Sequence, residues 1–228
     1  MLKRFIVCTA LLCGLAAFTF ASDENQNACK GDPGKWQPLF NGKDLTGWKH
    51  VGPGSDTVED GLIHTHGGMG LLYWTKEKFG NCRIKVVYKM RDHNDNSGVF
   101  IRIADKPKDE WYAVHHGYEV QISDGSDPFH RTGAIYSLSQ ATASPAQAGE
   151  WNTMEITLDG ERVTVAINGV QVQDFDPTTA TIPERTKPYE PERGPRPSAG
   201  YLGLQNHDDV GHGKPVYFKE VSVRQLEK

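Results

Sequence analysis

Long apolar runs are scarce in this chain of 228 residues. The one long run begins after Lys3 and Arg4 and ends in small residues at Ala21. It is too short for a membrane span, which takes roughly 20 apolar residues. Its layout is that of a secretion signal. We therefore expect residues 1–21 to be a cleaved signal peptide, no membrane span elsewhere, and a periplasmic or extracellular mature protein.

An excess of basic residues is also missing. Without Lys3 and Arg4 the chain keeps 23 basic and 29 acidic side chains, a formal charge of −6. Nucleic-acid binding needs a basic patch, so this class of partner is excluded. Neutral or weakly charged partners fit the charge better, while the oligomeric state stays open.

Cysteine is rare, and only Cys29 and Cys82 remain after the expected cleavage. In an oxidising compartment the two can form one disulfide that ties the N-terminal tail to a strand. The alternative is one buried thiol and one loose thiol.

Extended helical periodicity and internal repeats are absent as well. Short alternating runs recur between turn signals, which predicts an all-β sandwich in one domain over residues 36–226, after a flexible lead-in at 22–35. The predicted strands are 61–65, 70–74, 81–90, 97–103, 117–123, 133–136, 151–158, 162–167, 170–175, 200–206 and 216–224.

Turn dipeptides and prolines mark two further features. Asp159-Gly160 and Asn168-Gly169 are tight-hairpin signals, so residues 151–175 are predicted to form a three-stranded meander. The segment 176–199 holds six of the 13 prolines. A long proline-rich loop inside a domain is more often a functional segment or a rim than a linker.

Three predicted strands carry an unusual polar face. When alternate residues are assigned to the core, the opposite face receives Gly98, Phe100, Arg102, Glu119, Gln121, Tyr201, Gly203, Gln205 and His207. Aromatic rings stack on sugars, and amide or guanidinium groups bind hydroxyls, so the set indicates a saccharide-binding or catalytic surface. The alternative is a solvated face with chance ion pairs.

Several motifs, in order along the chain, carry a family resemblance. They are the segments 39–48, 96–102, 117–122, 132–136, 149–152 and 200–207. Together they resemble the 3-keto-disaccharide hydrolase domain family, long described as a domain of unknown function. The resemblance implies a concanavalin A-like jelly roll of two antiparallel sheets, a site on the concave sheet, and activity on glycosides oxidised at C3.

The implied substrate suggests roles for the polar residues. A C3 ketone makes the C2 hydrogen acidic, so the C1 substituent can leave by elimination, and water then adds. Glu119 is the predicted base, His207 the rival base or the acid, and Arg102 the clamp for the enolate oxygen. The predicted substrate-binding residues are Gln121, Tyr136, Gln205 and, by stacking, Trp48. Trp48 can instead be a core residue, His207 a loop histidine and Tyr136 an edge aromatic.

Two other functions remain open at this point. A retaining glycosidase needs two facing carboxyl groups, and the odd separation of Glu119 and Asp124 disfavours that reading. A lectin-like module would keep the aromatic and amide groups but would not need Glu119 or His207.

We predict no cofactor. A structural Ca²⁺ at the oxygen-rich segment 92–96 stays open, although the segment lacks the features of an EF-hand. His64 with His66, and His115 with His116, lack cysteine partners or the spacing of a zinc motif.

Overall fold

A computed structural model describes residue 29, residues 34–207 and residues 216–226. The predicted signal peptide and most of the predicted lead-in lie outside the described residues. No helix within the described ranges is long and apolar enough to cross a membrane. In chain order the elements are β1 (Gln37–Pro38), β2 (Trp48–Val51), β3 (Ser55–Glu59), β4 (Leu62–His66), β5 (Gly70–Trp74), β6 (Cys82–Lys89), β7 (Asn96–Ile103), α1 (Glu110–His116), β8 (Tyr118–Ser123), β9 (Asn152–Asp159), β10 (Arg162–Ile167), β11 (Val170–Phe175), β12 (Tyr201–Asn206) and β13 (Tyr217–Gln225).

The strands form two antiparallel sheets. The larger has the order β11-β10-β9-β6-β13-β4-β3, with β1 also paired to β13, and the smaller has the order β2-β5-β12-β7-β8. The predicted all-β sandwich is therefore confirmed. Ten predicted strands are present with ends shifted by at most one residue.

The eleventh predicted strand, 133–136, is wrong. The segment is rich in turns and makes only isolated bridges, from Ile135 to Val120 and to Ser139. Its backbone still lies along the free edge of β8, where Gly133 N–H donates to Gln121 O and Tyr136 N–H donates to Glu119 O, each at 2.9 Å. The segment thus covers an edge that would otherwise be open to water.

The core lies between the sheets and follows the two-residue alternation of the strands. In the β9-β10-β11 meander, Met154, Ile156, Val163 and Val165 are fully buried, while the residues between them are exposed or half-buried. Burial of this one face fixes the register, because a slip by one residue would expose the whole apolar set.

Helix α1 covers part of the outer face of the five-stranded sheet. Asp109 caps it by accepting the N–H of Tyr112 at 2.9 Å. Its buried residues Ala113 and Val114 pack on an apolar group that includes Leu71 and Phe100. Glu119, Gln121 and Gln205 lie on the part of this outer face that α1 leaves uncovered.

Cys29 and Cys82 are both buried and are free thiols in this structure. Their side chains hydrogen-bond to each other, which lowers the pKa of Cys29 and raises that of Cys82. Cys29 is therefore not the loose thiol of the second alternative.

Candidate functional site

A pocket opens on the part of the five-stranded sheet that α1 leaves uncovered. It contains about 610 Å³ of empty space, its open mouth included. The described residues that line it are Met69, Asn96, Trp111, Val114, Glu119, Gln121, Tyr136, Tyr189, Gln205 and His207.

Glu119 lies on β8 at the floor of this pocket and is only 7 % exposed. Burial raises the pKa of its carboxyl group to about 8, against a smaller lowering by a hydrogen bond from the Gln205 side chain. A carboxyl group with such a pKa exchanges its proton readily near neutral pH. It is therefore suited to general acid or base chemistry.

Gly98 provides the space that the Glu119 side chain occupies. It pairs with Gln121 across β7 and β8, and a Cβ atom at Gly98 would lie 2.4 Å from Glu119 Oε1. On the other side, Leu204 pairs with Val99, which brings Gln205 alongside Gly98. The glycine thus lets three polar side chains from β8 and β12, the two strands that flank β7, meet.

Two amide groups flank the carboxyl group. Gln121 and Gln205 are 4 % and 3 % exposed, and Gln121 Nε2 donates to Asn96 Oδ1 at 2.9 Å. Each Oε1 atom is buried and has no hydrogen-bond partner among the described residues. Buried acceptors of this kind are costly unless water or a ligand supplies the donor. The hydroxyl groups of a saccharide are such donors.

Tyr136 lies beside Glu119 because the segment 132–136 runs along the edge of β8. Burial, together with the nearby Glu119 carboxyl group, raises the pKa of its phenol to about 12. The phenol therefore stays protonated at neutral pH and can donate a hydrogen bond into the pocket.

His207 follows β12 and lines the pocket next to Gln205. The pocket thus brings together Glu119, Gln121, Tyr136, Gln205 and His207, all of which the sequence analysis selected. Residues 208–215, which follow His207, lie outside the described ranges.

The predicted orientation of Arg102 is wrong. Arg102 has a φ of 53°, and between the pairs Tyr201–Ile103 and Gly203–Phe100 strand β7 advances three residues against two on β12. This bulge inverts the alternation of side chains. The guanidinium group is consequently buried away from the pocket, where it donates to Gly160 O and lies 3.4 Å from Glu161 Oε2.

The prediction that Trp48 forms a stacking platform is also wrong. Its side chain belongs to the core between the sheets, and its ring packs edge-on against Trp74 at 5.4 Å between centroids. The indole N–H donates to Leu39 O at 2.9 Å. Trp48 is thus the core residue named as the alternative.

Two exposed aromatic side chains that the sequence analysis missed form the rim of the pocket. Trp111 on α1 is 40 % exposed, and Tyr189 in the proline-rich segment is 45 % exposed. A tryptophan in a helix of seven residues has no periodicity to mark its face. The proline content of 176–199 did indicate a rim or functional loop but not which residue would contribute.

Asp124 and the acidic segment 92–96 have other partners. Asp124 pairs with His93 and is not among the described lining residues of the pocket. Asp95 accepts the backbone N–H groups of Arg91 and Asp92, so its carboxylate holds a turn.

Comparisons with known proteins agree with this architecture. Two proteins from Parabacteroides distasonis, described as candidate glycosyl hydrolases, are 26 % and 25 % identical in sequence, with TM-scores of 0.66 and 0.67. Each alignment covers 84 % of this chain, and they cover 100 % and 94 % of the two relatives. No curated protein matches the chain.

More distant structures share the fold alone. A Bacillus subtilis protein of unknown function with a galectin-like fold has a TM-score of 0.61 at 14 % identity, over 88 % of this chain and 100 % of its own. A carbohydrate-binding module from the same species has a TM-score of 0.50 at 15 % identity, over 78 % and 96 %.

The model of the 3-keto-disaccharide hydrolase family, described as a 3-keto-alpha-glucoside-1,2-lyase-like domain, matches residues 35–224. The family match and the two relatives of 25–26 % identity support a carbohydrate-active domain of the glycosyl hydrolase type. The family match spans the whole sandwich and the pocket, and the chain belongs to that family.

Proposed function

We propose that this protein cleaves 3-keto-glycosides by elimination followed by addition of water. The observation that carries the proposal is Glu119, a buried carboxyl group with a pKa of about 8 on the floor of a polar pocket. A base for a C–H bond made acidic by an adjacent ketone needs this combination of raised basicity and exclusion of water.

The chemical steps balance without an external oxidant or metal ion. The Glu119 carboxylate takes the proton from C2, and the electron pair of that bond forms an enolate with the C3 ketone. The enolate then expels the C1 substituent, which leaves as an alcohol after it takes up a proton. Water adds at C1 and a proton returns to C2, which gives the 3-keto sugar.

The developing charge on the C3 oxygen needs a donor, and Arg102 is not among the described residues that line the pocket. Tyr136 takes this role, because its phenol stays protonated and lies close to Glu119. A fixed donor aimed at a developing oxyanion is worth about 10²- to 10³-fold in rate. His207 protonates the departing oxygen, and Gln121 and Gln205 bind hydroxyl groups through their unpaired oxygens.

The described part of the pocket favours elimination over the mechanism of a retaining glycosidase. That mechanism needs a second carboxyl group about 5–5.5 Å from the first. Among the described lining residues Glu119 is the only carboxyl group. Asp124, the candidate that the sequence offered, is paired with His93 instead.

A non-catalytic saccharide-binding module is the second candidate, favoured by the amide groups and the aromatic rim. Such a module would need hydroxyl-binding amides and stacking rings but no buried carboxyl group with a raised pKa. Burying a carboxyl group in this way lowers the stability of the fold. A site that only binds saccharides gains nothing in return for that cost.

The test compares a nitrophenyl 3-keto-glucoside with its unoxidised parent as substrates of the purified protein. We expect release of nitrophenol from the 3-keto compound only, and loss of that release in Glu119→Gln with saccharide binding retained. Release from the parent alone would indicate a glycosidase. Binding of the 3-keto compound without release from either substrate would indicate a binding module.

A further inference from the structure

We propose that Glu59, His64 and His66 form a binding site for a divalent first-row transition-metal ion of the Zn²⁺ class. The three side chains lie on the outer face of the eight-stranded sheet. Their ligand atoms are all within 4.8 Å of one another. Among the described residues, no other group of three Asp, Glu, His or Cys side chains has its ligand atoms this close together.

The register of the β3-β4 hairpin produces this grouping. Ile63 and Thr65 on β4 are buried, so His64 and His66, two residues apart, share the outer face. Thr57 on β3 pairs directly with His64, and Glu59 lies two residues further along on the same face. The pocket opens on the outer face of the other sheet, so the metal site is separate from it.

The distances suit a single ion. Glu59 Oε2 and His64 Nδ1 are 3.9 Å apart, which is too long for a hydrogen bond. Bonds of about 2.0–2.2 Å from each atom to a zinc ion would span this gap. Glu59 is exposed, with 61 % of its side chain accessible, so it can rotate toward the ion without disturbing the core.

The His64 imidazole is held mainly by ring packing, and its Nδ1 atom faces the Glu59 carboxylate. Its Nε2 atom is buried without a partner among the described residues, and its ring packs against Tyr217 at 4.4 Å between centroids. Nδ1 faces a carboxylate oxygen but lies too far from it for a hydrogen bond, so these two polar atoms lack a direct contact. An ion between His64 Nδ1 and Glu59 Oε2 would give Nδ1 a partner, while Nε2 stays on the buried side of the ring.

Thr57 holds the other two side chains in place. Its hydroxyl group donates to Glu59 Oε1 at 3.0 Å and lies 2.8 Å from His66 Nε2. Hydrogen bonds of this kind orient the ligands of metal sites and commonly contribute 10- to 100-fold in affinity.

The donor set indicates the chemical class of the ion. Two imidazoles and one carboxylate suit Zn²⁺, Ni²⁺ or Cu²⁺, whereas Ca²⁺ and Mg²⁺ take oxygen ligands. The site is on the protein surface, so water would complete the coordination. By joining β3, the edge strand, to β4, the ion would stabilise this end of the sheet.

Equilibrium dialysis of the untagged protein against Zn²⁺, with metal content measured by mass spectrometry, tests the site. We expect one bound Zn²⁺ per chain, no corresponding binding of Ca²⁺, and a rise in melting temperature with Zn²⁺. Binding should fall at least tenfold in His66→Gln and in His64→Gln, and 10- to 100-fold in Thr57→Val.

His93→Gln is the matched control, because it removes an exposed histidine that pairs with Asp124 outside the cluster. It should bind Zn²⁺ as the wild type does. Wild-type protein that binds no Zn²⁺, or a folded His66→Gln variant that keeps full affinity, would overturn the proposal. Should His64→Gln fail to fold through loss of its packing on Tyr217, His66→Gln still decides.

Discussion

The pKa of Glu119 is raised because its carboxyl group is shielded from water. It lies on β8, which would otherwise be an open edge strand. β8 ends the five-stranded sheet, and the backbone of segment 132–136 covers it. Burial therefore outweighs the hydrogen bond from Gln205, and the pKa rises to about 8. At neutral pH a fraction of the protein carries the carboxylate that the proposed base reaction requires.

The pH dependence of turnover follows from this pKa. Only ionised Glu119 acts as a base, so kcat/KM should rise with pH and level off above about 8. A rate that falls as pH passes through this value would mean that Glu119 works as an acid. Glu119→Gln should lose about 10²- to 10⁴-fold in kcat. Glu155→Gln, on the outer face of the other sheet, is the control and should keep the wild-type profile.

Gly98 gives a second prediction at the scale of one residue. In Gly98→Ala the new methyl group would lie 2.4 Å from Glu119 Oε1, so the carboxyl group must move. Misplacement of a catalytic group by about 1 Å can cost 10²-fold in rate, and we expect a loss of that order in kcat/KM.

Gly125→Ala is the matched control for this prediction, because its methyl group would meet only Ser123 Oγ at 3.6 Å. Steady-state kinetics and circular dichroism on both variants check the result. Wild-type kcat/KM in a folded Gly98→Ala protein would show that Glu119 does not act from its observed position.

At the scale of elements, α1 divides the outer face of the five-stranded sheet into an apolar part that it covers and a polar part that it borders. Its buried residues seal an apolar half that includes Leu71 and Phe100. Its exposed Trp111 stands at the rim of the polar half. A helix of seven residues is marginal alone, so its position depends on this packing and on the Asp109 cap.

Removal of the rim aromatic should weaken binding more than chemistry. Stacking of an aromatic ring contributes about 0.5–1.5 kcal/mol beyond area, so Trp111→Ala should raise KM by about 2- to 10-fold with kcat little changed. Trp151→Ala, an equally exposed tryptophan outside the pocket lining, should leave both constants unchanged. Michaelis–Menten measurements on both variants decide, and a loss confined to kcat in Trp111→Ala would argue against a stacking role.

The strands were predictable wherever one face is buried and the other is not. Residues 152–175 show this alternation and the two glycine turns, and both appear in the structure. The same rule placed Glu119, Gln121 and Gln205 on one face. The rule failed at Arg102 because it assumes a regular strand. Arginine rarely adopts a positive φ, so its identity does not indicate the bulge at this position.

Other elements lacked a readable pattern. Strand β3 has three consecutive half-buried residues between two exposed ends, and α1 is too short for helical periodicity. Trp48 shows a further limit, since a large aromatic in a motif can serve the core as well as a ligand. Only the packing against Trp74 separates the two roles.

At the scale of the whole molecule, the sandwich presents two independent outer faces on a common core. The five-stranded sheet carries the pocket, and the eight-stranded sheet carries the Glu59, His64 and His66 group. Loss of the metal ligands should therefore leave the pocket intact. The net negative charge agrees with an uncharged saccharide as the partner at the pocket.

The central claim is that the C2–H bond of a 3-keto-glycoside breaks before the C1 substituent leaves. The most direct measurement compares cleavage of a 3-keto-glucoside with its C2-deuterated form, with Glu119→Gln as the control for spontaneous exchange. We predict slower cleavage of the deuterated substrate and exchange of the C2 hydrogen with solvent, both dependent on Glu119. Equal rates for the two substrates, with the deuterium fully retained at C2 of the product, would contradict the account.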